Sequence, residues 1–209
     1  MAGGGRKAIA VIGEGITEKY YIESLRALAG GNFRILPQQL GLKASSLDEL
    51  DKAISKAINE GYDEVYCLID MDSKEEGAAS QKYKRLKQTY HNKLFTKKKK
   101  GIDCYVHFIE TRRCMEMWFI YYFDYVTRHF ASYREVENYL HKFVADYEKH
   151  ERYFRNVGSL HQKMLSCGGD LRRAIANAKK SLVNRDRTDS SDVSYSEMCL
   201  FFQALGIEG

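Results

Sequence analysis

Four short apolar runs, at 8–13, 32–36, 64–69 and 102–109, alternate with stretches of helical spacing, and no other feature of the chain restricts its fold as much. Each run is rich in β-branched or aromatic residues, so each is predicted to be a strand. Between them, 17–29 carries Tyr21, Leu25 and Leu28 on one face and meets Gly30 and Gly31. The stretch "SSLDEL" opens the next helix with a capping box of Ser46 and Glu49, followed by Leu47, Leu50, Ile54 and Ile58 on one face and a stop at Gly61. A lysine-rich third helix covers 75–90. Such alternation argues for an α/β fold: a mainly parallel, four-stranded sheet with helices packed on its faces.

After Ile109 the alternation ends. From Cys114 onward the chain reads as four or five helices, with breaks near Ser132, Asn156 and Cys167 and after Asn184. The expected organisation is therefore a core over 1–130 and a C-terminal helical region over 131–209 packed on it. The longest apolar stretch, "CMEMWFIYYF", is too short and too interrupted to span a bilayer, and "MAGGGRK" is not followed by an apolar signal core. A cytoplasmic protein without a membrane partner is expected. Five cysteines with no CxxC pair suggest neither a disulfide framework nor a zinc knuckle.

In open parallel sheets, ligands bind beyond the carboxyl ends of the strands. Three acidic motifs fall at that edge: Glu14 and Glu18 after the first strand, Asp70 and Asp72 after the third, Glu110 and Glu116 after the fourth. Carboxylates gathered from separate segments repel one another and need a cation to offset the charge. An all-oxygen donor set without clustered His or Cys suits Mg²⁺ or Mn²⁺ rather than zinc. Glu116 shares a helix face with Phe119, Ile120 and Phe123, which makes it a buried carboxylate in need of a metal or a basic partner. Glu110 reads as a loop residue.

Between Gly77 and Ile102 there is no acidic residue, while Lys82, Lys84, Arg85, Lys87, Lys93, Lys97, Lys98, Lys99 and Lys100 supply nine positive charges, more than the net +5 of the whole chain. Placed after the Asp-x-Asp, this segment is expected to neutralise a nucleic-acid backbone entering the acidic site, with Tyr83, Tyr90 and His91 available to stack on bases. The bland reading of the same lysines is a solvated helix and loop. The histidines are dispersed, and His161 is expected on a helix surface.

Taken together, "EGITE", "DMD" and "TRRCMEMWFIYYF", with a weaker echo in "RAIANAKK" at 173–180, resemble the RloB family, which is Toprim-like. The order is also similar to the Toprim plan of topoisomerases, primases and OLD-type nucleases. That resemblance implies a Toprim-like core and a nuclease that acts on phosphodiester bonds with Mg²⁺ or Mn²⁺. It implies metal ligation by Glu14, Glu18, Asp70, Asp72 and Glu116, with Glu14, Asp70 and Asp72 catalytic and Lys179 as a charge stabiliser. It further implies a role in bacterial antiphage defence (abortive infection), cleaving RNA, tRNA included, or DNA, under a partner ATPase of the AAA or ABC type. Arg112 and Arg113 depart from the pattern, which more usually has a small polar residue and a proline before the cysteine. The competing reading is a non-catalytic subunit of the same fold that binds nucleic acid or the ATPase.

Overall fold

The computed structural model describes residues 7–28, 33–36, 47–72, 74–75, 77–188 and 193–207. The elements run β1 (Ile9–Ile12), α1 (Ile16–Ser24), β2 (Phe33–Leu36), α2 (Leu47–Glu60), β3 (Glu64–Asp70), α3 (Gly77–Tyr90), β4 (Lys93–Lys97) and, after a 3₁₀ turn at Lys98–Lys100, β5 (Ile102–Arg112). There follow α4 (Glu116–Tyr121), α5 (Tyr133–Leu140), α6 (Glu151–Val157), α7 (Leu160–Ser166), α8 (Leu171–Arg187), β6 (Tyr195–Ser196) and α9 (Met198–Ala204).

The sheet has the order β2-β1-β3-β5-β4, with β6 also on β5. The four predicted strands pair in parallel, and β4 and β6 add antiparallel pairing along the outer edge of β5. β4 was not expected, because its sequence, "KLFTK", reads as part of a charged loop. Its lysines are tolerable there because an edge strand keeps one side in water.

Successive residues of β3 serve opposite faces, as the two-residue period of a strand demands. Tyr66 and Leu68 join a core with α1, α4 and the helices that follow, whereas Val65, Cys67 and Ile69 join α2 and α3. Burial on both faces explains why the strands read as continuous apolar runs. In α2, Leu47, Leu50, Ile54, Ala57 and Ile58 form the buried stripe; Ser46 of the expected cap lies outside the described residues. The first helix stops at Ser24, earlier than its periodicity predicts, and Leu28 is left exposed.

α4 is buried on every side, from Glu116 to Tyr121. Its Trp118 Nε1 donates to the Tyr21 hydroxyl at 2.6 Å, Tyr21 and Tyr122 share a hydrogen bond of 2.7 Å, and Tyr122 meets His161 Nδ1 at 2.9 Å. His161 is therefore a core residue rather than a surface one, 2% exposed, and its apolar surroundings lower its proton affinity. Among the described residues no helix is long and apolar enough to cross a membrane.

Candidate active site

β1 delivers the turn Gly13-Glu14-Gly15, and α1 then places Thr17 and Glu18, both buried, in its first turn. The glycine is a packing requirement: a Cβ on Gly13 would stand 2.7 Å from the Cβ of Glu18, so a side chain there would push Glu18 off the turn. β3 ends in Asp70, and β5 leads into α4, whose first residue is Glu116.

These elements bring Glu14, Glu18, Asp70 and Glu116 into one electrostatic neighbourhood. Burial pushes Glu14 up to about 7, against the pull of Lys74 and with Glu18 and Asp72 adding to the rise. Burial likewise raises Glu18, with Lys149 opposing and Glu116 reinforcing. Asp70 stands well above the usual carboxylate range through burial, then through Glu18 and Glu116.

Two lysines enter this cluster. Lys74, 3% exposed, donates to Glu14 Oε2 at 2.6 Å and to the Asp70 carbonyl at 2.7 Å. Lys149, between α5 and α6, lies 3.2 Å from Glu116 Oε1; burial opposes its charge, but Glu116, Asp70 and Glu18 hold its proton affinity high. Glu116 also accepts from Thr17 Oγ1 at 3.1 Å and from the Tyr147 hydroxyl at 2.8 Å. Glu18 is treated differently, for its Oε2 is buried with no hydrogen-bond partner. An unmet carboxylate oxygen in a buried cluster is costly and points to a cationic ligand. The donor chemistry, all oxygen and anionic, fits a hard divalent ion. In the arrangement described, no three of the described His, Cys, Asp and Glu residues converge on one ion position.

Lys74 and Lys149 were missed by sequence reasoning. Lys74 follows Asp72 by two residues on the loop at the active edge, which is a faint signal; Lys149, in "DYEKHERY", carries none. Lys179, expected as the cation, is exposed on α8 and lines a separate cleft of about 440 Å³ with Arg172 and Cys199. Asp72 is exposed, its amide donating to the Arg113 carbonyl at 3.1 Å.

Glu110 is a buried strand residue, not a loop residue. It accepts from the Tyr83 hydroxyl at 2.5 Å, from Lys87 and from the Tyr195 hydroxyl at 3.1 Å. Burial opposes its charge, yet these bonds hold its proton affinity below the usual value. Beside it, Glu197 accepts from the Glu110 amide at 2.9 Å and from Arg185 at 2.7 Å.

The basic segment is divided by the fold. Lys84 and Lys87 line a cavity of about 780 Å³ that also touches Met71 and Lys74. Lys82 pairs with Asp48 at 2.5 Å, and Arg85 is exposed on α3. Lys97 pairs with Ile102 at the start of β5, while Asp70 pairs with Thr111 near its end. At about 3.3 Å per strand residue, the lysines at 97–100 therefore stand about 30 Å from the carboxylates, at the opposite edge of the sheet. Tyr83 and Tyr90 are buried, and His91 Nδ1 accepts from the Phe108 amide at 3.0 Å, so none of the three is an open stacking platform.

Searches among curated proteins and among solved structures returned no match. A model of the family described as RloB-like protein matches residues 9–205, a span that takes in both glutamates of the first turn, the Asp-x-Asp, Glu116 and Lys149. With nearly its whole length matched, the chain belongs to the RloB-like family.

Proposed function

We propose that this protein is a divalent-metal-dependent nuclease that cleaves RNA or DNA in bacterial antiphage defence, controlled by a partner ATPase. The observation that carries the reading is the buried, unpartnered Oε2 of Glu18 inside a carboxylate cluster at the carboxyl edge of a parallel sheet. The defence role and the ATPase rest on the resemblance to RloB proteins. Glu14, Glu18 and Asp70 would hold Mg²⁺ or Mn²⁺, with Asp72 and Glu116 contributing. When bound, such an ion polarises a phosphoryl oxygen and acidifies bound water.

The chain's own groups have separable tasks. Without metal, burial raises Glu14 to about 7, and a bound cation would displace that proton. Lys74 fixes Glu14 against the backbone of Asp70. Lys149, Thr17 and Tyr147 fix Glu116. Asp72 is open to solvent and to a substrate.

The test pairs cleavage with melting. Asp72→Ala is expected to abolish cleavage of tRNA, single-stranded RNA or DNA in the presence of the ATPase, while melting without metal stays level or rises because a repulsive charge has gone. Cleavage retained by Asp72→Ala refutes the catalytic assignment. A second reading, a non-catalytic module binding nucleic acid or the ATPase, is favoured by the two lysines seated among the carboxylates and by the lack of three converging ligands among the described residues. Absence of cleavage by the unaltered protein on all three substrates would select it.

A further inference from the structure

The cavity of about 780 Å³ beside the carboxylates is lined by six cationic side chains, Lys74, Lys84, Lys87, Arg112, Arg113 and Arg185, against two carboxylates. Both carboxylates are already answered: Glu75 by Arg112 at 2.6 Å, and Glu110 by Lys87. Lys74 is held by Glu14 and Arg185 by Glu197 at 2.7 Å. Lys84 and Arg113 have no ion-pair partner among the described residues; Arg113 spends its Nε on the Phe130 carbonyl at 2.6 Å, which aims the guanidinium without neutralising it. The walls thus combine rigidly held cations with two uncompensated ones, the composition of an anion site. The volume lies within the about 300–1,000 Å³ of small-molecule sites and exceeds what one inorganic phosphate needs.

Position adds to composition. Lys74 lines the cavity and contacts Glu14 and the Asp70 backbone, so cavity and carboxylates share a wall. We propose that this cavity is a nucleotide-phosphate subsite that holds a phosphorylated nucleotide unit beside the carboxylate centre. It deepens the nuclease reading by naming where the strand next to the scissile bond is held, but phosphate binding itself needs neither metal nor cleavage.

The experiment measures binding in EDTA, with the full chain, of a fluorescent single-stranded oligonucleotide with and without a 5′-phosphate, and of a free nucleoside 5′-monophosphate. Lys84→Gln alters an exposed residue of α3 and so leaves the fold intact; Arg113→Gln is compared with it and with the double variant. Each single change is expected to weaken oligonucleotide binding about tenfold and to lower the salt slope by about 1. If the free monophosphate fails to bind the unaltered protein while the oligonucleotide binds, the strand supplies the phosphate. If the monophosphate binds and the variants lose it, a free nucleotide suffices. Equal affinities in unaltered and variant proteins, or no binding of any probe, would overturn the proposal. Lost cleavage in Asp72→Ala with this binding intact leaves the subsite standing, Asp72→Ala that still cleaves removes Asp72 alone from the catalytic set, and oligonucleotide binding without any cleavage by the unaltered protein sinks the nuclease reading alone.

Discussion

Two buried glutamates, Glu110 and Glu18, are treated in opposite ways. Glu110 accepts from Tyr83, Tyr195 and Lys87 and its proton affinity falls below its ordinary value, while its neighbour Glu197, paired with Arg185, is raised by burial and by Glu110. Glu18 and Glu116 share Lys149, Glu18 keeps one oxygen with no partner, and the proton affinities of Glu14, Glu18 and Asp70 all rise. Glu110 is a finished structural brace. Glu18 is stabilised less than its burial requires, which is how a group kept for a ligand differs from one kept for the fold.

The largest expected effect comes from breaking the contrast at its cation. Lys149→Met leaves Glu116 without its ion pair and should cost about 3 kcal/mol in urea unfolding, the low end for a buried pair because Lys149 retains 30% side-chain exposure. Lys87→Met should cost less, since Lys87 pairs with Glu110 alone, whereas Lys149 offsets Asp70 and Glu18 as well as Glu116. Equal costs would erase the distinction between the clusters.

Acid–base behaviour gives the next largest effect. A carboxyl raised in the folded state binds protons more tightly than in the unfolded chain, so its stabilisation is present below the ordinary 4.5 and is lost as pH rises through about 7. Glu14 alone should remove roughly 3 kcal/mol of metal-free stability across that window, at about 1.4 kcal/mol per pH unit. Glu110, lowered, contributes in the opposite sense and loses its stabilisation as pH falls below 4.5. Melting curves in EDTA between pH 4 and 8 check this: Glu14→Gln should flatten the decline, and an unchanged slope would refute it.

Packing at the turn ranks third. Gly13→Ala forces the Cβ of Glu18 to move and should cost about 1–3 kcal/mol by calorimetry. Glu18→Gln should instead raise metal-free stability by about 1 kcal/mol, because a repelled charge leaves; Glu110→Gln should lower it by a similar amount. Both substitutions moving the same way would contradict the comparison. Replacing the lysines at 97–100 by Gln should change stability by less than about 0.5 kcal/mol and affect oligonucleotide binding less than Lys84→Gln does.

Much of the fold was legible because parallel strands buried on both faces leave uninterrupted apolar runs, and α2 leaves a clean stripe. β4 and β6 were hidden: the first is written in lysine, the second is two residues long, and both exist through pairing with β5 rather than through their own pattern. The acidic half of the candidate site could be read because carboxylates at strand ends are few and spaced by the alternation. Its basic half could not. Lys149 is one lysine among many, selected by where the chain returns, and Lys179 looked better placed only on a linear view. Glu110 was misjudged because its donors come from α3 and from the segment around β6, far away in sequence.

The returning position of Lys149 also has a temporal meaning. Synthesis runs from the amino end, so Glu18, Asp70 and Glu116 all leave the ribosome before the lysine that balances them, and Glu110 precedes Arg185 and Tyr195. Until residue 149 has been made, Glu18, Asp70 and Glu116 have no Lys149 to balance them, whereas Glu110 emerges after Tyr83 and Lys87, which already answer it. The acidic centre therefore gains its balancing lysine only after α5 has been made, so Glu18, Asp70 and Glu116 are neutralised late and together.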